Sequence, residues 1–230
     1  MDIYAATADA FRLLFSGDGD LWKIILLSLT LSLSALLLTA PPALFCAYLL
    51  ATRKFYGRRL LLSLLQGFLS FPTVVIGLIL YILLSRQGPL GALQLLFTPQ
   101  AILIGQMVIA FPVLSVFALS AFQKNETLIR ETAQSLGAGQ GRALLTACLE
   151  ARFAMIAALF AGFGRIISEV GCALIVGGNI AHYTRTIPTA IALDTGKGEF
   201  AESIALGIVL ICFAIIASLL LSLFQDANAH

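Results

Sequence analysis

Two charges stand four residues apart inside one of the most apolar stretches of this 230-residue chain: Arg165 and Glu169, in FAMIAALFAGFGRIISEVGCALIVGG. On a helix that spacing puts both side chains on one face. At membrane depth a charge costs at least about 2.5 kcal/mol on insertion scales, so it needs a partner or a purpose. The residues leave two readings open. Either the two charges pair and stabilise the helix or a seam between chains, or Arg165 lines a route and meets a doubly charged oxyanion while Glu169 tunes it. The next segment, VGGNIAHYTRT, has a second set of candidates. Gly177 and Gly178 let backbone N–H groups approach an anion, and Asn179, His182, Tyr183, Thr184 and Arg185 supply donors around it; equally, the segment is an outer loop that meets another protein.

Other chemistries find little support. The glycines Gly137, Gly139 and Gly141 spell GxGxG with no preceding strand, whereas a phosphate-cradling loop needs GxxxxGK[ST] between a strand and a helix. No nucleotide site is expected. The four cysteines, Cys46, Cys148, Cys172 and Cys212, are scattered without a CxxC pair and read as small buried hydrophobes, so neither a metal nor a disulfide is expected. An intramembrane enzyme would need a base or a metal set at depth, and the two histidines are His182 and the terminal His230. No covalent chemistry and no cofactor are expected in this chain.

The elements that must position these residues are membrane helices. Hydrophobic residues make up 60% of the chain and charged ones 11%, with a mean hydropathy of +0.98, against about 25% charged in soluble domains. A span takes roughly 20 apolar residues. Ile24–Thr52, Leu60–Ser85, the part of Gln87–Gln123 from Ala101 onward, and Ser203–Gln225 meet that length without Asp, Glu, Lys or Arg. A fifth span, Phe153–Gly178, contains Arg165 and Glu169. Pro41, Pro42, Pro72 and Pro112 fall inside spans and should bend them.

The connections sort by charge. Arg53, Lys54, Arg58 and Arg59 lie between the first two spans, and Lys124, Arg130, Arg142 and Arg152 between the third and fourth. By the positive-inside tendency both connections face the cytoplasm, which places the N-terminus outside and the C-terminus inside. The expected fold is an all-α polytopic membrane protein of five transmembrane helices, one domain over residues 1–230. Residues 1–20 form an amphipathic segment on the outer interface or an unremarkable tail. They lack the basic start of a cleavable signal, so they are expected to stay on the chain, and no long cytoplasmic domain is expected after Gln225. The total net charge of +2 points to no nucleic-acid partner.

The cytoplasmic connection 124–152 opens with NETLIRETAQSL, in which Leu128, Ile129, Thr132, Ala133 and Leu136 share a helical face and Gly137 stands where the helix should stop. This predicts a short helix, a glycine-rich turn and a second helical stretch. The segment resembles the coupling loop of the smaller bacterial ABC importer permeases, patterned Glu-Ala-Ala, three residues, Gly, nine residues, Ile-x-Leu-Pro. Glu131, Ala133, Gly137 and Leu149 match in register, while Thr132, Ala147 and Glu150 depart. The resemblance implies that Glu131, Ala133, Leu136 and Gly137 dock a separate ATPase, which carries the ATP and Mg.

Two further stretches, FGRIISEVGCALIVGGNIAHYTRTIPTAIALDTGKGEF and LLFSGDGDLWKIILLSLTLSLSALLL, are similar to the tungstate-type branch of these permeases, close to the molybdate and sulfate ones. That resemblance implies a homodimer in a bacterial plasma membrane, with two ATPase copies and an extracytoplasmic binding protein that delivers the oxyanion. Arg165, Glu169, Gly177, Gly178 and Asn179 are the candidates for its pathway. The rival from another class is an autonomous secondary carrier or channel using Arg165 and Glu169 as a coupling pair. Inverted repeats would favour it, and none is found.

Overall fold

In the computed structural model of the chain, the described residues are 3–53, 55–135, 149 and 152–226. Their regular structure is helical, in nine α-helices: α1 (Ile3–Phe15), α2 (Gly19–Thr52), α3 (Arg58–Leu69), α4 (Thr73–Leu84), α5 (Pro99–Ser135), α6 (Arg152–Ile167), α7 (Gly171–Gly177), α8 (Ile187–Lys197) and α9 (Phe200–Asp226). Three are long and apolar enough to cross a membrane alone. Two bent pairs, α3 with α4 and α6 with α7, raise the number of candidate spans to as many as five.

At the centre, α2 lies along α5. Fully buried alanines, Ala35, Ala43 and Ala47 on α2 and Ala110 and Ala118 on α5, let the backbones approach closely, which is how helices gain packing contacts where lipid removes the hydrophobic drive between them. Ile76, Ile102, Leu114, Ile166 and Val176 complete this core. A second cluster, Leu21, Ile25, Ile187, Ala205 and Leu206 with Ala10 of α1, binds the start of α2 to α8 and α9. On α9, Ile211, Ile215, Ile216, Leu219 and Leu223 form an exposed apolar face.

The prolines act in two ways. Pro41 and Pro42 lie within α2, and Pro112 within α5, both continuous helices. Pro72 instead caps α4, and the chain turns by 102° between α3 and α4, so the expected single helix over Leu60–Ser85 is two. The expected fifth helix is likewise two, bent by 60° between α6 and α7, where no proline stands.

One other expectation is revised. The stretch 125–135 is not a separate short helix but the end of α5; the polarity change near Gln123 contains no glycine or proline to break the helix. At 37 residues, α5 is roughly 55 Å long, well beyond the roughly 30 Å of hydrocarbon. Residues 187–197, which fall outside the five expected spans, form α8. Thr186 and Thr189 make a capping box, Pro188 sits in the first turn, and Gly198 ends the helix at φ +83°. Ile187 N–H donates to Ser28 Oγ at 2.8 Å, tying α8 to α2.

Candidate functional site

The site is built at the break between α6 and α7. The last α6 carbonyls and the first α7 amides lose their helical partners there, and side chains take their place. Glu169 N–H turns back to Ile166 O at 3.2 Å. Glu169 Oε1 accepts from Cys172 N–H at 3.1 Å, in the first turn of α7. Its other oxygen, Oε2, accepts from Arg165 Nη1 at 2.9 Å. Gln106, which reaches across from α5, donates from Nε2 to both Ile166 O and Ser32 Oγ at 3.4 Å.

The ion pair is lopsided. Glu169 is 3% exposed at its side chain and Arg165 37%. Both carboxylate oxygens are occupied, whereas the guanidinium makes this one side-chain hydrogen bond among the described residues and has five donors. The carboxylate engages Nη1 and leaves the Arg165 side chain 37% exposed, with donors to spare. Ala161, Gly164, Arg165 and Ser168 share one helical face, with Ser168 exposed and open space above Gly164. Small and polar residues there contrast with the leucines and isoleucines exposed on α9.

The start of α7 is wedged between α4 and α5. A Cβ on Gly77 of α4 would come within 2.9 Å of Cys172 Cα, and one on Gly105 of α5 within 2.6 Å of Cys172 Sγ. A Cβ on Gly171 would meet Val74 Cγ2 at 2.7 Å. Three glycines therefore admit one short helix.

Gly177, Gly178 and Asn179 are at the other end of α7, roughly 10 Å along its axis. Gly178 ends the helix at φ +70°, its N–H donating to Leu174 O at 3.0 Å. Thr184 Oγ1 donates to Gly177 O at 2.6 Å and accepts from Ile180 N–H at 2.9 Å. Asn179 Nδ2 donates to Thr189 O at 3.1 Å. The structure thus brings Arg165 and Glu169 together and holds Gly177 to Asn179 apart from them, at a helix C-terminus. His182, Tyr183 and Arg185 line a cavity of 570 Å³ beside the start of α2, with Asp18, Asp20, Lys23 and Glu202. His182 Nδ1 lies 3.4 Å from Asp20 Oδ1.

Of the docking candidates, Glu131 and Ala133 are on the last turns of α5; Leu136 and Gly137 lie outside the described residues. Among those residues, Asp194, Glu199 and Glu202 are the acidic group close enough to share a cation. Lys197 already serves it, 4.0 Å from Asp194 and 3.4 Å from Glu199. Burial pushes the Asp194 carboxyl above its usual range, outweighing the pull of Arg185 and Lys197.

The family description "binding-protein-dependent transport system inner membrane component" fits residues 43–229, a stretch that holds both breaks and the end of α5. The chain belongs to this family. It is a membrane-embedded transport component, and family members are permease subunits and not enzymes. Over 90% of its length the chain is 39% identical to a probable anion ABC transporter permease protein of Haloferax volcanii, covering 94% of that protein. It is 40% identical to the tungstate uptake system permease protein TupB of Campylobacter jejuni, over 92% of this chain and 89% of that one. With the molybdenum transport system permease protein ModB of Escherichia coli the identity is 31%, over 86% and 91%.

Sequence reasoning found Arg165 and Glu169 but missed what holds them. Gln106, an amide in an apolar run, and Gly77 and Gly105, glycines inside spans, were the available signals; each type sits at membrane depth for a packing or bonding reason.

Proposed function

We infer that the chain is the permease of an ATP-driven importer for a tetrahedral oxyanion, tungstate before molybdate. The observation that carries this is the pairing of close kinship to permeases named for tungstate and anions with a guanidinium held half-exposed at a broken membrane helix. A guanidinium suits an oxyanion because its planar donors match two oxygens at once.

In this reading there are five spans, α2, α3–α4, α5, α6–α7 and α9, with the N-terminus outside and the C-terminus inside. The basic connections at 53–59 and 124–152 support that orientation. Two copies of the chain enclose the pathway, each meeting an ATPase subunit through Glu131, Ala133, Leu136 and Gly137, and a binding protein delivers the anion outside. ATP and Mg act on the ATPase. Its closure draws the ends of α5 together and opens the pathway outward; hydrolysis returns it inward. Arg165 gives the passing anion a weak contact, since a tight one would trap it.

The test is uptake of labelled tungstate, molybdate and sulfate in a strain lacking this chain, with and without its restoration. Restored tungstate uptake that depends on the ATPase is the expected result. Uptake that persists without any ATPase would mean an autonomous carrier.

A further inference from the structure

The Glu169 carboxylate performs two tasks that a simple ion pair does not combine. One oxygen closes the first turn of α7 through Cys172 N–H, at 3.1 Å, and the other holds Arg165 of α6, at 2.9 Å. It therefore spans the 60° break. Being 3% exposed, it is out of reach of cargo, and a second anion beside it would be repelled. Arg165, by contrast, is 37% exposed at its side chain, next to exposed Ser168 and the open space at Gly164. An anion that engages the guanidinium must share it with a carboxylate that is also the cap of the next helix.

We propose that Glu169 is a positioning residue for transport: it keeps the affinity of Arg165 for the oxyanion low enough to release it, and couples anion contact at α6 to the seating of α7. This rests on the reading of Arg165 as the anion contact and deepens it. The physical chain is short. Charge on Glu169 partly neutralises Arg165 and occupies Nη1, which weakens its hold on cargo. When cargo draws the guanidinium forward, the carboxylate retains Cys172 N–H alone, and α7 is held through one contact where there were two. Gln106, bonded to Ile166 O at 3.4 Å, carries the same break to α5, the helix whose last turns hold Glu131.

Glu169→Gln separates the tasks. The amide oxygen still accepts from Cys172 N–H, while the charge and the acceptor for Arg165 are lost. The measurements are equilibrium dialysis of tungstate against the purified permease–ATPase complex without binding protein, and uptake turnover in proteoliposomes with it. Glu169→Gln is expected to assemble normally, to bind tungstate about tenfold tighter, and to turn over more slowly. Arg165→Ala is expected to bind more weakly, and adding Glu169→Gln to it should change nothing further. A purely structural pair would lower the yield of complex and leave affinity per assembled complex untouched.

The failures are distinct. Wild-type complex that neither binds nor imports tungstate overturns the substrate reading and this inference with it. Unchanged binding in Arg165→Ala removes Arg165 as the contact. Weaker binding in Arg165→Ala with unchanged binding in Glu169→Gln overturns the role of Glu169 alone. Loss of assembly in Glu169→Gln, where the cap acceptor is preserved, also overturns it, because the charge then serves the fold.

Discussion

Two of the candidate spans are broken, and they are broken by different means. Between α3 and α4 the chain turns by 102° at Pro72, with Phe71 and Pro72 exposed. Proline has no N–H to orphan and its φ is fixed, and the cap makes no side-chain bond, so this turn does not depend on one. Between α6 and α7 the turn is 60°, contains no proline, and is held by Glu169, Gln106 and a glycine-lined slot. A break held by side-chain bonds can be loosened by whatever competes for those bonds. The two short helices beyond the breaks, α4 and α7, pack on each other, so a fixed bend supports an adjustable one.

The largest effect should come from removing what holds the adjustable break. Glu169→Ala orphans Cys172 N–H and leaves Arg165 without its partner, at a cost of about 2–3 kcal/mol, read as a lower melting temperature and yield of the purified complex. A cost under about 0.5 kcal/mol would mean that packing alone fixes the bend.

Next come the glycines of the slot. Gly77→Ala and Gly105→Ala should each cost about 1–3 kcal/mol by overpacking, but they differ in remedy. The Gly105 Cβ would meet Cys172 Sγ, so Cys172→Ala should restore most of the loss; the Gly77 Cβ would meet Cys172 Cα, which no side-chain truncation moves. Equal rescue of both would show that α7 shifts as a body. The smallest effect is expected at the proline break, where Pro72→Ala should cost no more than about 1 kcal/mol, because the residues around it are exposed and the cap makes no side-chain bond. A loss as large as that of Glu169→Ala would erase the contrast.

This contrast also explains what was legible in the sequence. Pro72 announces a bend, though not its angle, because φ is local information. Runs free of charge announce spans for the same reason, and α2, α5 and α9 follow them. The break after Arg165 was visible only as an interruption. That Glu169 serves as a cap depends on Cys172 N–H standing within reach, and that the slot admits α7 depends on glycines nearly a hundred residues earlier, Gly77 and, closer, Gly105. These are tertiary facts without local signatures. The α5 extension was misread because polarity changes at Gln123 while helix propensity does not. The α8 helix has a local signal, a Thr186–Thr189 capping box with Pro188 in the first turn, but its 11 residues are too few for a span and leave no mark in a search for spans.

Whether Arg165 meets the anion is read most directly from the initial rate of tungstate uptake by proteoliposomes holding the permease, its ATPase and the binding protein, wild type against Arg165→Ala, normalised to assembled complex. The prediction is a loss of about tenfold or more at unchanged assembly. An unchanged rate per assembled complex would contradict it and leave Arg165 and Glu169 as a structural pair.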